Sequence, residues 1–420
     1  MNKRKLVFAS GIANAFEWYD YALFAHFAPI IGIKFFPGVS SSASLLHAFI
    51  AFALGYLMRP IGGIFFGIIG DRFGRKTALS TSIFCMALPT ALIGIIPTYD
   101  EIGAIATILM ILARMLQGLS MGGALTGSIS FIIEHTEPHH RGFTGSISMA
   151  SICAGILFGS IIASLIQTIL SVEQFNNWGW RIPFLLGIFI LFAGLYIKKY
   201  TTETPVFQAI KEEGAILKSP LTKVISKHWV DMLISIFINA TGSVIFYLQA
   251  IYLMSFLRIN RNFSDSDVSN LANCCYLVMI VATLCSGYLS DIIGRKRLCI
   301  INLLLIIVVT PFLMNIIETE DFYYIIIAQI ILSILAAFYI GPEPALQAEM
   351  YPTNIRNTAL SLSYNIATSL FGGTTPLVVE YLIQKTGTIT SATYYVIICA
   401  IASLIALAFY KNREGGKLIT

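Results

Sequence analysis

Gly67-Ile68-Ile69-Gly70-Asp71-Arg72-Phe73-Gly74-Arg75-Lys76 and Gly287-Tyr288-Leu289-Ser290-Asp291-Ile292-Ile293-Gly294-Arg295-Lys296 follow one pattern, Gly-x3-Asp-x2-Gly-Arg-Lys, 220 residues apart in a chain of 420. Long apolar segments flank both copies. The chain is therefore read as two copies of one plan, each copy embedded in a membrane.

Composition agrees: 56% of residues are hydrophobic, 12% are charged and the mean hydropathy is +0.78, too apolar for a soluble globule of this length. A spanning helix needs about 20 mostly apolar residues. Such stretches lie near 8–35, 45–70, 77–97, 103–133, 142–170 and 181–200, and again near 229–257, 268–290, 297–317, 322–349, 357–383 and 388–410. Barrel strands would alternate apolar with polar residues, and these do not. Lys3, Arg4 and Lys5 precede an apolar run too long for a signal-peptide core, without a small-residue cleavage site, so the first helix is expected to stay in the mature protein. The expected fold is an all-α integral membrane protein: twelve transmembrane helices in two pseudo-symmetric six-helix bundles, 1–200 and 229–420, joined by a cytoplasmic linker, 201–228. Half-chain membrane repeats are the usual architecture of secondary transporters.

Basic residues fix the expected orientation. Lys3, Arg4, Lys5, Arg72, Arg75, Lys76, Arg141, the lysines of the linker, Arg295, Lys296, Arg297, Arg356, Lys411, Arg413 and Lys417 fall on one side of a twelve-span arrangement. That side is predicted cytoplasmic, with both termini there. Opposite loops carry Asp100, Glu101, Glu173, Glu318, Glu320 and Asp321, with Lys34, Arg258 and Arg261 as exceptions. The net charge of +5 follows from this asymmetry and is no nucleic-acid patch. The seven cysteines, Cys85, Cys153, Cys274, Cys275, Cys285, Cys299 and Cys399, lie in apolar spans without CxxC pairing and read as buried thiols. No HExxH or other metal cluster occurs, and no cofactor or metal is expected.

Several ordered motifs extend the reading: Glu17-Trp18-Tyr19-Asp20 in span 1, Arg59-Pro60-x-Gly62-Gly63 in span 2, and Arg114-x2-Gln117-Gly118-x3-Gly122-Gly123 in span 4. Others are Glu134 through Pro138 to Arg141-Gly142, Gly179-Trp180-Arg181-Ile182-Pro183-Phe184, Glu203-Thr204-Pro205-Val206-Phe207, and Glu349-x2-Pro352-x3-Arg356. With these residues the chain resembles the major facilitator superfamily over essentially its whole length. Its finer features look like the metabolite:proton symporter family, which includes proline/betaine, 2-oxoglutarate, citrate and shikimate carriers. The resemblance implies proton-coupled transport. One departure is that relatives commonly carry a Glu soon after the span-4 double glycine, where this chain has Ala124, so any proton carried there must use another group. The sequence runs about ten residues past the last span, so the C-terminal coiled-coil extension of some osmosensing members is expected to be absent.

The repeated loop suits gating. Asp71 and Asp291 can form charge-assisted hydrogen bonds with Arg75, Lys76, Arg295 and Lys296 across helix ends, while anchoring by positive charge alone would not need the aspartates. Arg72 belongs to the same loop. Gly67 and Gly287 permit close helix approach, and Gly74 and Gly294 permit tight turning. The pairs Glu134/Arg141 and Glu349/Arg356 share a seven-residue spacing and read either as a second set of cytoplasmic latches or as ordinary helix-end caps.

Charges deep in spans are better site candidates, because lipid makes them costly. At 1.5 Å per residue, Glu17 and Asp20 lie roughly 14–18 Å into span 1 and Arg114 about 16 Å into span 4 from the other side. Ser10, Asn14, Glu17, Tyr21 and, at the edge, Asp20 form one polar stripe. Glu17 or Asp20 is expected to pair with Arg114; a static ion network is the plainer alternative. The carboxylates oppose each other's ionisation while Arg114 favours it, a balance suited to a proton carrier. Arg114 also suits a substrate carboxylate, and Gln117 lies one turn along. Asn239, Ser243 and Tyr247 on span 7, with Ser361, Tyr364, Asn365 and Thr368 on span 11, would add hydrogen bonds, with helix packing as the alternative for the serines and threonines. Trp18, Tyr19, Tyr21, Phe24 and Tyr247 could cage a quaternary ammonium. His26 lies in the outer part of span 1, as a vestibule proton site or a packed histidine. Glu343, between two prolines in the inner third of span 10, is a second titrating group or an inner gate.

The leading expectation is a proton-coupled symporter of a small zwitterion such as proline or betaine, rocking around a midplane site. A symporter of a small organic acid is the close second, and a non-transporting membrane receptor the third. The partners expected are a small-molecule substrate, protons and the bilayer, with no nucleic acid; the chain is expected to work as a monomer in a bacterial inner membrane. An enzyme is excluded by the lack of a phosphate loop, a zinc motif or a soluble domain.

Overall fold

In the computed structural model the described residues are 3–38, 41–319 and 321–411, and they are almost entirely helical. Glu320, Arg413 and Lys417, counted above for orientation, lie outside them. In chain order the spans are α1 (Lys3–Phe35), α2 (Ser41–Leu57 continuing as Arg59–Phe73), α3 (Arg75–Ile93), α4 (Ala104–His135), α5 (Arg141–Ile169) and α6 (Val172–Tyr200). They continue as α7 (Trp229–Ile259), α8 (Asp265–Ile293), α9 (Arg295–Ile317), α10 (Phe322–Ala348), α11 (Arg356–Thr386) and α12 (Ala392–Phe409). Among the described residues ten helices are long and apolar enough to cross a bilayer; α1, with 33 residues, and the divided α2 supply the other two passages.

Local chemistry explains the irregular places. α2 breaks at Met58 because Pro60 has no N–H for the Tyr56 carbonyl. α6 starts earlier than the apolar stretch from 181 implies: Ser171 and Gln174 form a capping box that nucleates a turn at Val172, and a wide turn over Phe175–Gly179 carries the chain into Arg181. Gly74 and Gly294, at φ of 107° and 102°, make the sharp corners after α2 and α8 that side chains resist. Similar wide turns at Leu248–Tyr252 in α7 and Thr368–Gly372 in α11 are placed in the second half.

The packing repeats with the sequence. α1 lies on α5 and α2 on α4; in the second half α7 lies on α11 and α8 on α10. Between the halves α2 packs on α11 and α5 on α8, with α4 touching α11 and α5 touching α10. Gly67 meets the backbone at Thr358 of α11 and Gly287 meets Ser146 of α5, so the motif glycines set the distance at which the halves touch. Between α6 and α7 the chain forms two short helices, Pro205–Glu212 and Pro220–Lys227, which bury Phe207, Ile210 and Val224 against the bundle.

Candidate functional site

At the end that bears the repeated loops, each motif aspartate reaches into the other half. Asp71 accepts from the backbone N–H groups of Asn357 at 3.1 Å and Thr358 at 2.8 Å, in the first turn of α11. Asp291 accepts from Gly142 and Phe143, both at 2.8 Å, in the first turn of α5. A carboxylate at a helix N-terminus satisfies free N–H groups and meets the positive end of the helix dipole. Arginines complete each latch. Arg75 pairs with Asp71 at 3.2 Å and Glu134 at 3.1 Å, and Glu134 also takes Arg356 at 2.7 Å. In the second half Arg295 pairs with Asp291 at 2.8 Å and Glu349 at 2.9 Å, and Glu349 takes Arg141 at 3.1 Å. The Glu/Arg pairs at seven-residue spacing thus do not close on themselves. Each Glu binds the arginine of the opposite half.

The lysines do something different. Lys76 Nζ donates to the Thr201 carbonyl at 2.7 Å and Lys296 Nζ to the Tyr410 carbonyl at 3.0 Å, so both hold the C-terminal end of the last helix in their own half, where the dipole favours a cation. Arg72 is exposed and lies over Phe73, outside the latch that the motif led us to expect. The first linker helix is drawn in: Thr204 Oγ1 donates to Glu134 at 2.5 Å, and Glu203 accepts from the Lys76 N–H at 3.2 Å. Burial pushes the Glu203 carboxyl above the usual carboxylate range, against the lowering effect of the backbone N–H groups of Thr204 and Lys76.

Midway along the bundle two arginines divide two carboxylates. Arg114 pairs with Asp20 at 3.2 Å, and Gln117 bridges them, accepting from Arg114 at 2.5 Å and donating to Asp20 at 2.9 Å. Gln117 also donates to Thr90 at 2.8 Å, and the Phe24 ring lies 4.0 Å from the guanidinium. Glu17 stands apart: it is 2% exposed and among the described residues neither carboxylate oxygen has a hydrogen-bond partner. The cation within its electrostatic range is Arg59.

A central cavity of about 30 Å³ is lined by Trp18, Asn239, Tyr247, Glu343, Tyr364 and Thr368, among others. One water occupies roughly 10–15 Å³ on this measure, so the cavity is closed around very little. Trp18 of α1 and Phe246 of α7, 6.1 Å apart edge to face, divide it from a vestibule of about 360 Å³ that opens away from the latches and includes Tyr21, His26 and Arg258. The Tyr56 and Tyr247 hydroxyls meet at 2.5 Å across the halves. The protein is thus sealed at the latch end and narrowed, but not sealed, at the other.

Comparison with known proteins fits this architecture. Residues 6–228 match the family profile "Sugar (and other) transporter", and 232–418 match "Major Facilitator Superfamily". A candidate proline/betaine transporter of Staphylococcus haemolyticus is 37% identical over 99% of this chain and 89% of its own length. The chain belongs to the major facilitator superfamily. It is thus a multi-pass membrane transporter and not an enzyme. The proline/betaine transporter of Salmonella typhimurium is 31% identical over 99% of this chain and 85% of its own. The glycine betaine/proline/ectoine/pipecolic acid transporter OusA of Dickeya dadantii is 30% identical over 99% and 84%. A solved structure of the proton:xylose symporter XylE bound to 6-bromo-6-deoxy-D-glucose has the same fold, with a TM-score of 0.81 at 18% identity over 99% of this chain and 97% of that one.

In this transporter several expected site residues are in place and several are not. Asn239, Tyr247 and Tyr364 line the cavity, and Asp20, Arg114 and Gln117 form one cluster. Asn365 does not line the cavity: its amide donates to the Gly122 carbonyl of α4 at 2.7 Å, because Gly63 of α2 has no side chain to keep it out. Tyr19 turns away from the cavity to bond the Pro183 carbonyl at 2.9 Å, and Phe24 covers Arg114, so neither belongs to an aromatic cage. Tyr21 faces the vestibule. All seven cysteines are free, yet Cys274 and Cys285 are exposed rather than buried, since they lie on the outer face of α8. The sequence reading passed over Arg59 as a site residue. Its position mid-span, the same test that singled out Glu17 and Arg114, would have found it.

Proposed function

We propose that the protein is a proton-coupled symporter that imports a small zwitterion of the proline or betaine type by alternating access. The observation that carries this reading is the pairing of a midspan charge layer, Glu17, Asp20, Arg59 and Arg114, with a cavity walled by Trp18, Tyr247, Tyr364 and Glu343. Charges are kept at that depth at a cost, and they mark ion and substrate paths. Aromatic faces attract a quaternary or secondary ammonium. The names of the three relatives given above point to the same class of solute.

The basic end, with Arg72, Lys76, Lys296 and Arg297, faces the cytoplasm in this reading, with both termini there. The latches of Asp71, Arg75, Glu134 and Arg356, and of Asp291, Arg295, Glu349 and Arg141, then hold the inner side shut, and the vestibule faces outward. Breaking them, while the halves close over Trp18 and Phe246, opens the cavity inward. Glu17, Asp20, Tyr21, Arg114, Gln117, Asn239, Tyr247 and Tyr364 supply the proton and substrate site, with Asn365 joining the halves beside it. One chain suffices for the cycle.

The test is uptake into proteoliposomes under an imposed inward proton gradient, with labelled proline, betaine, 2-oxoglutarate and citrate in parallel. Accumulation of proline or betaine that collapses with the gradient is the expected result. Accumulation of an organic acid alone would move the protein to the second substrate class. No uptake by correctly inserted protein would end the symport reading.

A further inference from the structure

The Arg59 guanidinium is 1% exposed, and among the described residues none of its three nitrogens has a hydrogen-bond partner. It lies 4.9 Å from the Tyr56 ring centroid and 6.0 Å from that of Trp18. A guanidinium carries five N–H donors, and a buried donor set left unmade is expensive. The group next to it repeats the anomaly: Glu17 is buried with both oxygens unbonded, close enough to interact electrostatically with Arg59 but without a hydrogen bond. Arg114 and Asp20 show the contrast. They bond each other and share Gln117.

The surroundings of Arg59 indicate what it waits for. It lies at the break of α2, beside Pro60, one ring away from the central cavity: Trp18 lines that cavity, and Tyr56 is hydrogen-bonded to Tyr247, which lines it too. Tyr364 is within electrostatic range of Arg59, Glu17 and Glu343 together. The layer therefore presents an unsatisfied cation on the first half, aromatic faces in the middle and the Glu343 carboxylate on the second half. That order of charges is the complement of a zwitterion.

Resting on the symport reading above, we propose that Arg59 is the receptor for the substrate carboxylate and that Glu17 is the counter-charge this carboxylate replaces. On binding, the substrate carboxylate forms the bidentate hydrogen bonds that Arg59 lacks, and its ammonium lies against Trp18, Tyr247 and Tyr364 toward Glu343. Glu17, relieved of its cation, takes one proton from the vestibule side, forming an O–H bond on its carboxylate. The Arg59–Glu17 pairing is exchanged for an Arg59–substrate pairing, and one proton enters with each substrate. Release on the other side reverses the exchange: the carboxylate leaves Arg59, Glu17 loses its proton and the two face each other again. Coupling then follows from Arg59 having room for one anion at a time.

The experiment uses the full chain in nanodiscs, with binding read by calorimetry and proton uptake read in weakly buffered solution. Betaine is compared with choline, which keeps the quaternary ammonium and lacks the carboxylate, and with proline and 2-oxoglutarate. Wild type should bind betaine with uptake of about one proton and bind choline with none. Arg59→Gln should weaken betaine and proline roughly tenfold or more while leaving choline unchanged, and Arg59→Lys should fall between. Glu17→Gln should keep betaine binding, lose the proton uptake, and in vesicles exchange substrate without accumulating it. Betaine binding by wild type without proton uptake would overturn the exchange, with no variant needed. Equal betaine affinity in folded Arg59→Gln would overturn the receptor role. 2-Oxoglutarate bound in place of betaine and lost in Arg59→Gln would uphold the receptor and overturn the zwitterion reading, and failure of wild type to bind any of the four would overturn both.

Discussion

The two latches are built from the same residues in the same order, yet they are not equally buried. Arg75 and Glu134 have fully buried side chains, whereas Arg295, Glu349 and Asp291 retain 4%, 2% and 6% exposure. Among the described residues the linker straps the first latch: Thr204 bonds Glu134, and the Phe207 ring lies 5.1 Å from the Arg75 guanidinium. Arg75 makes further bonds to the carbonyls of Gly70, at 2.6 Å, and Thr353. Duplication accounts for the shared plan. The linker, which occurs once between the copies, accounts for the difference, because it can close over one latch and not over both.

The sharpest way to break this comparison is to remove the shared carboxylates. Glu134→Gln leaves Arg75 and Arg356 facing each other in a fully buried site with Asp71 and Glu203 as the carboxyl groups still near Arg75, and uncompensated buried charge costs about 3–5 kcal/mol. Glu349→Gln does the same to Arg295 and Arg141, but slight wetting should hold its loss to roughly 2–3 kcal/mol. Thermal unfolding of both variants in detergent should rank Glu134→Gln as the more damaged. Equal losses would mean that the strap and the deeper burial add nothing.

The aspartates should behave oppositely, as equals. Asp71 and Asp291 each accept two backbone N–H groups of the other half at 2.8–3.1 Å. Asp71→Asn and Asp291→Asn should each cost about 1–2 kcal/mol of closed state. The loss falls on the inter-half contact more than on folding, so the measurement is the distance distribution between spin labels at the latch ends of α3 and α9. Both variants should gain a longer-distance population of similar size, and the double variant more than either. A gain in one alone would show that the halves are held by a single latch.

These contacts mark how far the sequence could be read. The repeat at 67–76 and 287–296 made the duplicated fold and the latch residues legible, since short motifs with charged and glycine positions carry their chemistry locally. Partner choice was not legible: Glu134 and Arg141 are neighbours in the chain, and only packing of α2 on α11 and α5 on α8 sends each to the opposite half. Depth along a helix placed Asp20 and Arg114 together correctly, because both helices run straight through the layer. It could not say that Gln117 would tie them and leave Glu17 to Arg59, which depends on helix rotation. Asn365 was misjudged for a related reason: polar residues on a cavity-lining helix can turn into an interface when a glycine opposite, here Gly63, admits them.

The strap itself offers the smallest and most specific tests. Thr204→Val removes the hydroxyl bond to Glu134 and the helix cap that accepts from the Phe207 N–H, and should cost about 1–2 kcal/mol; in the Glu134→Gln background the same change should cost less, since the bond to a carboxylate is already gone. Glu203 adds a pH dependence of known sign. Its folded pKa lies above that of the unfolded chain because burial disfavours the charge, so its stabilising contribution is complete below the ordinary carboxylate range and is lost as pH rises through the raised value. Wild-type stability should therefore lose a small increment across that window, and Glu203→Gln, neutral at every pH, should flatten it. The strap contacts Glu134 and Arg75, so the flattening should be the same whether or not the second latch is intact. If instead it vanished in Glu349→Gln, the strap would be sensing the closure of both halves rather than bracing one.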